Sequence, residues 1–284
     1  MTTQALTPMD GFTFGCDPEL FIFGPDGQPV SAEGLIPGSK EEPHKVEYGA
    51  VQRDGLAAEF NIDPVDNFRD WNRNIQAVMG QLEAMLPAGH TLQAVPSVRF
   101  SEEVFLASSK EALALGCSPD YNAWTQTVNP PPSLDHDPFL RCAGGHIHFG
   151  WTKDAALSDP QHMLNCCDLV KQLDWYLGGW SLKLDENTER RSLYGKAGAC
   201  RIKDYGVEYR VLSNFWVTTR DRRLAVWNRM VQAIADMRNT YLPERVSRYN
   251  STLVDAINQS SVPASFSRAF RFPLTTIDHS YARY

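Results

Sequence analysis

Three stretches of this chain, FGCDPELFIF (14–23), AGGHIHFGW (143–151) and YGVEYRVLSNFW (205–216), each set two ionisable side chains two residues apart inside an apolar, strand-like run. Side chains at i and i+2 of a strand point to the same face. Asp17 with Glu19, His146 with His148, and Glu208 with Arg210 are therefore three pairs, each aimed to one side of its own strand. The residues between them, Pro18, Ile147 and Tyr209, point to the other side. One such pair is what any solvated strand face shows. Three, embedded in apolar or glycine-flanked strands, call for a sheet with one covered apolar face and one face carrying a charged site. A fourth carboxylate, Glu59, stands in the apolar run LAAEFNI (56–62).

The remaining pattern supplies the strands and the cover. The first strand is expected over Phe12 to Phe23, ended by the turn Gly24-Pro25-Asp26-Gly27, with a second starting near Pro29-Val30. Lys45 to Val51 and Leu56 to Ile62 read as two more, turning at Asp54-Gly55. Phe68, Trp71, Ile75, Val78, Met79, Leu82 and Met85 recur at three- and four-residue steps, predicting a helix capped by Asp66 or Asn67 and closed before Pro87. Leu92 to Phe100 is strand-like. A second helix is expected from about Asp159 or Pro160, capped near Ser158, to about Leu177, with Gly178-Gly179 as its stop. A third runs from about Thr219 to Leu242, with Leu224, Trp227, Val231, Ile234 and Met237 on one stripe. Two strand signals, Ser192 to Cys200 and Gly206 to Leu212, lie between them. NPPPSLDHDP (129–138) reads as a loop or lid, and the segment after Pro243 as a surface wrap. Strands and helices do not alternate regularly, which argues against a doubly wound parallel sheet. The expected class is α+β, a largely antiparallel sheet with helices packed on one side.

Composition narrows the partners. The formal charge of −7 argues against nucleic acid as the main partner, because phosphate backbones demand clustered Lys and Arg. No apolar run approaches the roughly 18–20 residues of a membrane span, and MTTQALTPMDG lacks the basic-then-apolar order of a signal peptide. The six cysteines show no CxxC spacing, and Cys166 and Cys167 are adjacent. They read as small core thiols of a reducing, cytoplasmic protein.

If the charged strands are neighbours, Asp17, Glu19, Glu59, Glu208 and a histidine converge. Four carboxylates cannot all stay ionised in one cleft without counter-charge. Oxygen-rich ligation with one imidazole suits Mg²⁺ or Mn²⁺ better than zinc. Arg210 would then face the same cleft, unusual beside a metal but natural beside a transferring phosphoryl group. RRSLYGKAGACR (190–201) adds Arg190, Arg191, Lys196 and Arg201 around two glycines, an anion-holding strand–turn–strand by its pattern. Neither GxxxxGK[ST] nor a GxGxxG after a strand is present.

The ordered set GCDPELF, QRDGLAAEFNIDP, GCSPDYNAW, RCAGGHIHFG and YGVEYRVLSNFW, spanning Gly15 to Trp216, resembles the phage-type carboxylate–amine ligases. These are amide-forming enzymes of the glutamine-synthetase-like amidoligase superfamily, related to glutamate–cysteine ligases. The resemblance implies one catalytic domain over 1–284, with a motif-bearing core of about 12–242 and an extension over 243–284. It implies a curved, mainly antiparallel sheet whose concave face holds ATP and two or three Mg²⁺ or Mn²⁺ ions, with helices behind. Carried over residue by residue, Asp17, Glu19, Glu59, His146 and Glu208 would bind metal, the shorter Asp17 leaving room for an intervening water. His148, Lys196, Arg201 and Arg210 would serve the nucleotide, and Arg210 would also stabilise the moving phosphoryl group. Lys40, in the loop GLIPGSKEEPHKV (34–46), and Arg191 would meet substrate, and Asp54 would bind or deprotonate the amine. In GCSPDYNAW, Tyr121 and Trp124 would shape a pocket wall. The implied reaction joins a small-molecule or peptide carboxylate to an amine through an acyl phosphate, with no nucleic acid or membrane partner and an open oligomeric state. Two alternatives remain: a guanidinium phosphotransferase using the same metal site, and a metallohydrolase built on HIH, which would need further histidines in the site.

Overall fold

In the computed structural model, residues 6–8, 10–114, 120–133, 137–185, 187–238 and 251–261 are described. The chain opens with β1 (Thr13–Phe23), β2 (Pro29–Val30), β3 (His44–Val46), β4 (Gly49–Asp54) and β5 (Ala57–Ile62), followed by α1 (Phe68–Ala84). Short elements come next: β6 (Thr91–Gln93), β7 (Ser97–Arg99), α2 (Glu102–Ala107), α3 (Lys110–Leu113), β8 (Tyr121–Asn122), β9 (Thr127–Val128) and β10 (Leu140–Cys142). Then come β11 (Gly145–Gly150), α4 (Pro160–Leu173), a π-helical turn over Asp174–Gly178 and α5 (Gly179–Ser181). The described elements end with α6 (Thr188–Leu193), β12 (Ala199–Lys203), β13 (Gly206–Tyr209), a 3₁₀ turn over Asn214–Val217 and α7 (Arg220–Arg238), and 251–258 is helical. No helix among the described residues is long and apolar enough to cross a membrane.

The main sheet is antiparallel throughout, in the order β3-β4-β5-β1-β11-β13-β12-β8-β9, with β2 and β6 added to the far half of β1. The three strands with paired charges, β1, β11 and β13, are adjacent at its centre. Their alternate residues Phe14, Cys16, Leu20, Ile147, Phe149, Val207 and Tyr209 are buried in the main core. Helices α1 and α4 contact the sheet there, and α7 packs against both, its Trp227 ring 4.9 Å from that of Phe14. Trp71 of α1 stacks on Trp216, ring centroids 5.2 Å apart and 8° from parallel, with Trp227 of α7 tilted against Trp71. This is the mixed α+β arrangement, helices on an antiparallel sheet, that the pattern predicts.

Local chemistry sets the helix ends. Asn67 caps α1, its side chain accepting from the Asp70 amide at 2.9 Å. The α4 cap is Asp159 rather than Ser158, with Pro160 in the first turn, where its missing N–H costs nothing. Gly178-Gly179 does not stop this helix as expected: it runs on through the π turn into α5. A Cβ on Gly178 would lie 2.9 Å from the Tyr209 hydroxyl and 3.3 Å from Asp174. The glycine is there for close packing and not for termination.

Three strand expectations are corrected for similar reasons. The run Lys45 to Val51 is a hairpin of β3 and β4, turning at Tyr48 with φ of 69°. Leu92 to Phe100 is two strands, since β6 pairs β1 while β7 pairs β10. Ser192 to Cys200 is the end of α6, then a loop with positive φ at Gly195 and Gly198, then the start of β12. The described part of 129–138 forms a loop from Asn129. Residues 239–242 of the third predicted helix, and 243–250 and 262–284 of the tail, lie outside the described residues. Of the six cysteines, Cys117 also lies outside, and the other five are free thiols, Cys142 half-buried and the rest buried.

Candidate active site

The face of the sheet opposite the helices carries one row of alternating side chains from each strand. Register brings the rows together: Asp17 lies opposite His146, Glu19 opposite Glu59, Glu59 opposite Gln52, and His148 opposite Glu208, which in turn faces Arg201. Thr13, Gly15, Asp17 and Glu19 of β1 share the wall of one cavity with Gln52, Asp54, Glu59, His146, His148, Arg201, Lys203, Glu208 and Arg210, and Lys40 stands at its exposed rim. Its volume is about 530 Å³, within the usual range for small-molecule and cofactor sites.

Two triads of ligand-type groups lie side by side on this face. Asp17, His146 and Glu208 form one, and Glu19, Asp54 and Glu59 the other, with ligand atoms inside each within 4.8 Å of one another. In the first, Asp17 Oδ1 is 3.0 Å from His148 Nε2 and 3.5 Å from His146 Nδ1, and His146 Nδ1 is 3.7 Å from Glu208 Oε1. The Arg210 guanidinium pairs with Glu208, lies 3.1 Å from His146 Nδ1 through Nη1, and donates from Nε to Asp120 Oδ1 at 2.7 Å. Lys203 Nζ and Arg201 Nη1 reach Glu208 at 3.3 and 3.7 Å.

Cations therefore crowd one half of the site and thin out in the other, and the acids titrate accordingly. Burial and Asp17 work to raise the Glu208 carboxyl, but Arg210, His148 and His146 outweigh them and hold it down to about 2. Burial would likewise raise Asp17, yet His148, with help from His146, keeps it well below the usual carboxylate range. Across the strand the balance reverses. Burial, then Glu19, pushes Asp54 up to about 6 against the pull of Lys40, and burial with Asp17, Asp54 and Glu19 lifts Glu59 well above its ordinary value.

The donor set fits divalent metal. Five carboxylates and one imidazole make the oxygen-rich mixture that suits Mg²⁺ or Mn²⁺. Buried Asp17 Oδ1 closes no hydrogen bond of proper geometry, and burial with the neighbouring carboxylates holds Asp54 and Glu59 above their ordinary values despite the pull of Lys40 on Asp54. A cation there would replace protons, which gives a test. An acid titrating above its unfolded value adds stability at low pH and loses it as pH rises through its folded value; for Asp54 that loss is complete above about pH 6. Mg²⁺ should refill this deficit, so its stabilising effect is expected to be small at pH 5 and to grow up to pH 7. At 100 times its Kd the gain is about 2.7 kcal/mol, about 5–10 °C in Tm for a domain of this size. Thermal melts of the wild type and Glu59→Gln check it: a shift with no pH-dependent part, or a pH-dependent part that survives the substitution, would sink the assignment of metal to this triad.

Of the residues picked out from the sequence, Asp17, Glu19, Lys40, Asp54, Glu59, His146, His148, Arg201, Glu208 and Arg210 all line the cavity. Arg191 and Lys196 do not, and the reason is the helix where a strand was expected. α6 turns Arg191 into the core, 1% exposed, where its Nη2 meets Ser181 Oγ at 2.8 Å and Asp185 at 3.4 Å. Half-buried Lys196 sits in the loop that follows, outside the cavity wall. Three residues were missed. Lys203 and Tyr205, the latter bonded to His148 Nδ1, follow Arg201 at steps of two, a signal a longer strand reading would have caught. Asp120 comes from the loop before β8 and carries no periodic signal at all. Tyr121 and Trp124, expected as pocket wall, do not line this cavity or the smaller one beside it; Trp124 instead donates to buried Asp174 at 2.6 Å.

A family model for phage phiEco32-like COOH·NH2 ligases of type 2 matches residues 137–248, the segment that supplies His146, His148, Arg201, Glu208 and Arg210. The match supports a carbon–nitrogen bond-forming ligase enzyme. Among solved structures, a bifunctional glutathione synthetase from Pasteurella multocida is similar at 12% identity and a TM-score of 0.47, over 94% of this chain and 47% of that one, so the chain spans about half its length. No match is found among curated proteins.

Proposed function

We propose that this chain is an ATP-dependent carboxylate–amine ligase that activates its carboxylate as an acyl phosphate, on a glutamine-synthetase-like sheet whose charged face is the active site. The observation that carries the reading is the placement of Arg210 between two acid triads, on a face that also offers Arg201, Lys203, His148 and Lys40 to an anionic ligand. Asp17, His146 and Glu208 would hold one metal ion, and Glu19, Asp54 and Glu59 another. Bound there, Mg²⁺ would neutralise the phosphate oxygens. Arg201, Lys203, His148 and the rim Lys40 hold the triphosphate through charge-assisted hydrogen bonds. Arg210, held at Nε by Asp120, keeps its guanidinium turned toward the phosphoryl group as it passes to the carboxylate oxygen. The transfer gives ADP and an acyl phosphate, which a carboxylate needs because its own oxide is a poor leaving group. The amine then attacks the acyl carbon, and phosphate leaves. Asp54 would hold the second ion and orient the attacking amine by accepting its N–H.

The metallohydrolase alternative needs more imidazoles than the two, His146 and His148, that this face carries among the described residues, and His136 and His279 lie outside them. His162 bonds the Lys203 carbonyl at 2.7 Å on the helix side, and neither His44 nor His90 lines the cavity. The deciding experiment is hydroxylamine trapping with ATP and Mg²⁺ over pooled carboxylic acids. A hydroxamate formed together with ADP supports the ligase. A stable phosphoguanidine product with guanidino substrates would replace it with the phosphotransferase.

A further inference from the structure

A second, smaller cavity of about 60 Å³ adjoins the first along β1 and shares Glu19, Asp54, His146 and Arg210 with it. Its own walls are part apolar, from Phe21, Leu56, Leu140 and Leu193, and part polar, from Asp120, Arg141, Tyr194 and Arg190. Arg190 of α6 lines it while being 2% exposed. Two of its nitrogens donate to main-chain carbonyls, Nη1 to Val211 at 3.0 Å and Nη2 to Arg210 at 3.3 Å. Among the described residues no carboxylate lies within 4.0 Å of its guanidinium. A buried guanidinium without an anion is costly, since desolvation is not offset by a charged partner. Asp185 and Glu19 act on it only at longer range, and burial still depresses its pKa.

Resting on the ligase reading, we infer that this cavity is the amine subsite and that it takes a small free α-amino acid, with the carboxylate on Arg190 and the amino group facing Glu19 and Asp54. The division of labour follows from the walls. A carboxylate that is to be phosphorylated must reach the cations of the larger cavity, and Arg190 lines only the smaller one. The carboxylate it binds is therefore not the one activated. Glu19 and Asp54 border both cavities, which sets the amino group at the junction, next to the acyl phosphate. There the nitrogen forms the new C–N bond as the C–O bond to phosphate breaks, and phosphate leaves while the amine's proton passes to the departing phosphate and solvent. The product keeps the amino acid's free carboxylate. Size sets the specificity: at about 10–15 Å³ for each water-sized group, the cavity holds about four to six heavy atoms, the scale of glycine or alanine.

Calorimetric titration of the full chain, with Mg²⁺ and a non-hydrolysable ATP analogue present, tests this with glycine, L-alanine, L-leucine, glycinamide and propionate. Glycine or L-alanine should bind at least about 10-fold more tightly than glycinamide, propionate or L-leucine, the range of a charge-assisted hydrogen bond. Arg190→Gln should lose that advantage. Should Arg190→Gln fail to fold, Leu193→Trp, on the half-buried wall, fills the cavity and should abolish amino-acid binding while the ATP analogue still binds. Glycinamide binding as well as glycine, unchanged affinity in a folded Arg190→Gln, unchanged affinity in Leu193→Trp, or no amino-acid binding by protein that binds the analogue overturns the subsite and leaves the ligase reading standing. Failure to bind the analogue at all strikes the ligase reading and the subsite with it.

Discussion

Arg210→Ala is expected to lower ATP-dependent product formation by about 10³-fold or more, the scale on which an arginine stabilises a transferring phosphoryl group. The expectation follows from its position. Arg210 borders both cavities, and its guanidinium touches Glu208 and His146 of one triad while Asp120, from the loop before β8, fixes Nε. Stability should change far less than activity, because Glu208 keeps Lys203 at 3.3 Å and Arg201 at 3.7 Å after the arginine is gone. Arg210→Lys restores charge without the planar fork and should recover only a small part of the rate. Asp120→Asn keeps the guanidinium but loosens its aim, and about a 10-fold loss in kcat with little change in the KM for ATP is expected. Single-turnover ADP release measures all three. Wild-type turnover by Arg210→Ala would end the assignment of phosphoryl transfer to this face.

How far this site could be read from sequence depends on which residues obey a period. The three i,i+2 pairs are legible because β1, β11 and β13 are buried on the helix side. Their apolar partners, from Phe14 and Cys16 to Val207 and Tyr209, fix which way every other side chain points. Glu59 was legible as a carboxylate with nowhere apolar to go. What was not legible is how strands neighbour one another. Asp54 and Glu59 join Glu19 only because β5 pairs with β1, a contact between segments some 40 residues apart that no local pattern encodes. Asp120 reaches Arg210 from 90 residues away out of a loop. The 190–201 region misled for a different reason. Its basic residues and glycines suggest anion binding, but a helix there rotates Arg190 and Arg191 onto different surroundings, one into the small cavity and the other into the core.

The glycine pair ahead of His146 separates fold from function in a way that two substitutions can show. Glycines in a strand permit a close approach, and here the atoms that approach are the protein's own. A Cβ on Gly144 would lie 2.1 Å from His146 Nε2 and under 3 Å from two more ring atoms, while one on Gly145 would lie 2.3 Å from the Ser213 carbonyl and 2.6 Å from Trp216 Nε1. Gly144→Ala therefore displaces one imidazole, which can rotate toward the cavity, and it leaves the core intact. The expected result is a melting temperature close to wild type, a smaller Mg²⁺-dependent shift as the first triad's share is lost while the Glu19–Asp54–Glu59 share remains, and about a 10²-fold or greater loss of activity. Gly145→Ala has no such outlet. Ser213 is main chain bridged to Gly144, and Trp216 donates to the Gly145 carbonyl at 3.1 Å while stacked on Trp71 at the centre of the core. Overpacking of that kind costs about 1–3 kcal/mol, sometimes more, so a fall of at least about 5 °C is expected, with Mg²⁺ still stabilising the molecules that fold. Circular-dichroism melts with and without Mg²⁺ decide it. If Gly144→Ala keeps the full Mg²⁺ response, His146 does not bind the metal, and the first triad loses its imidazole.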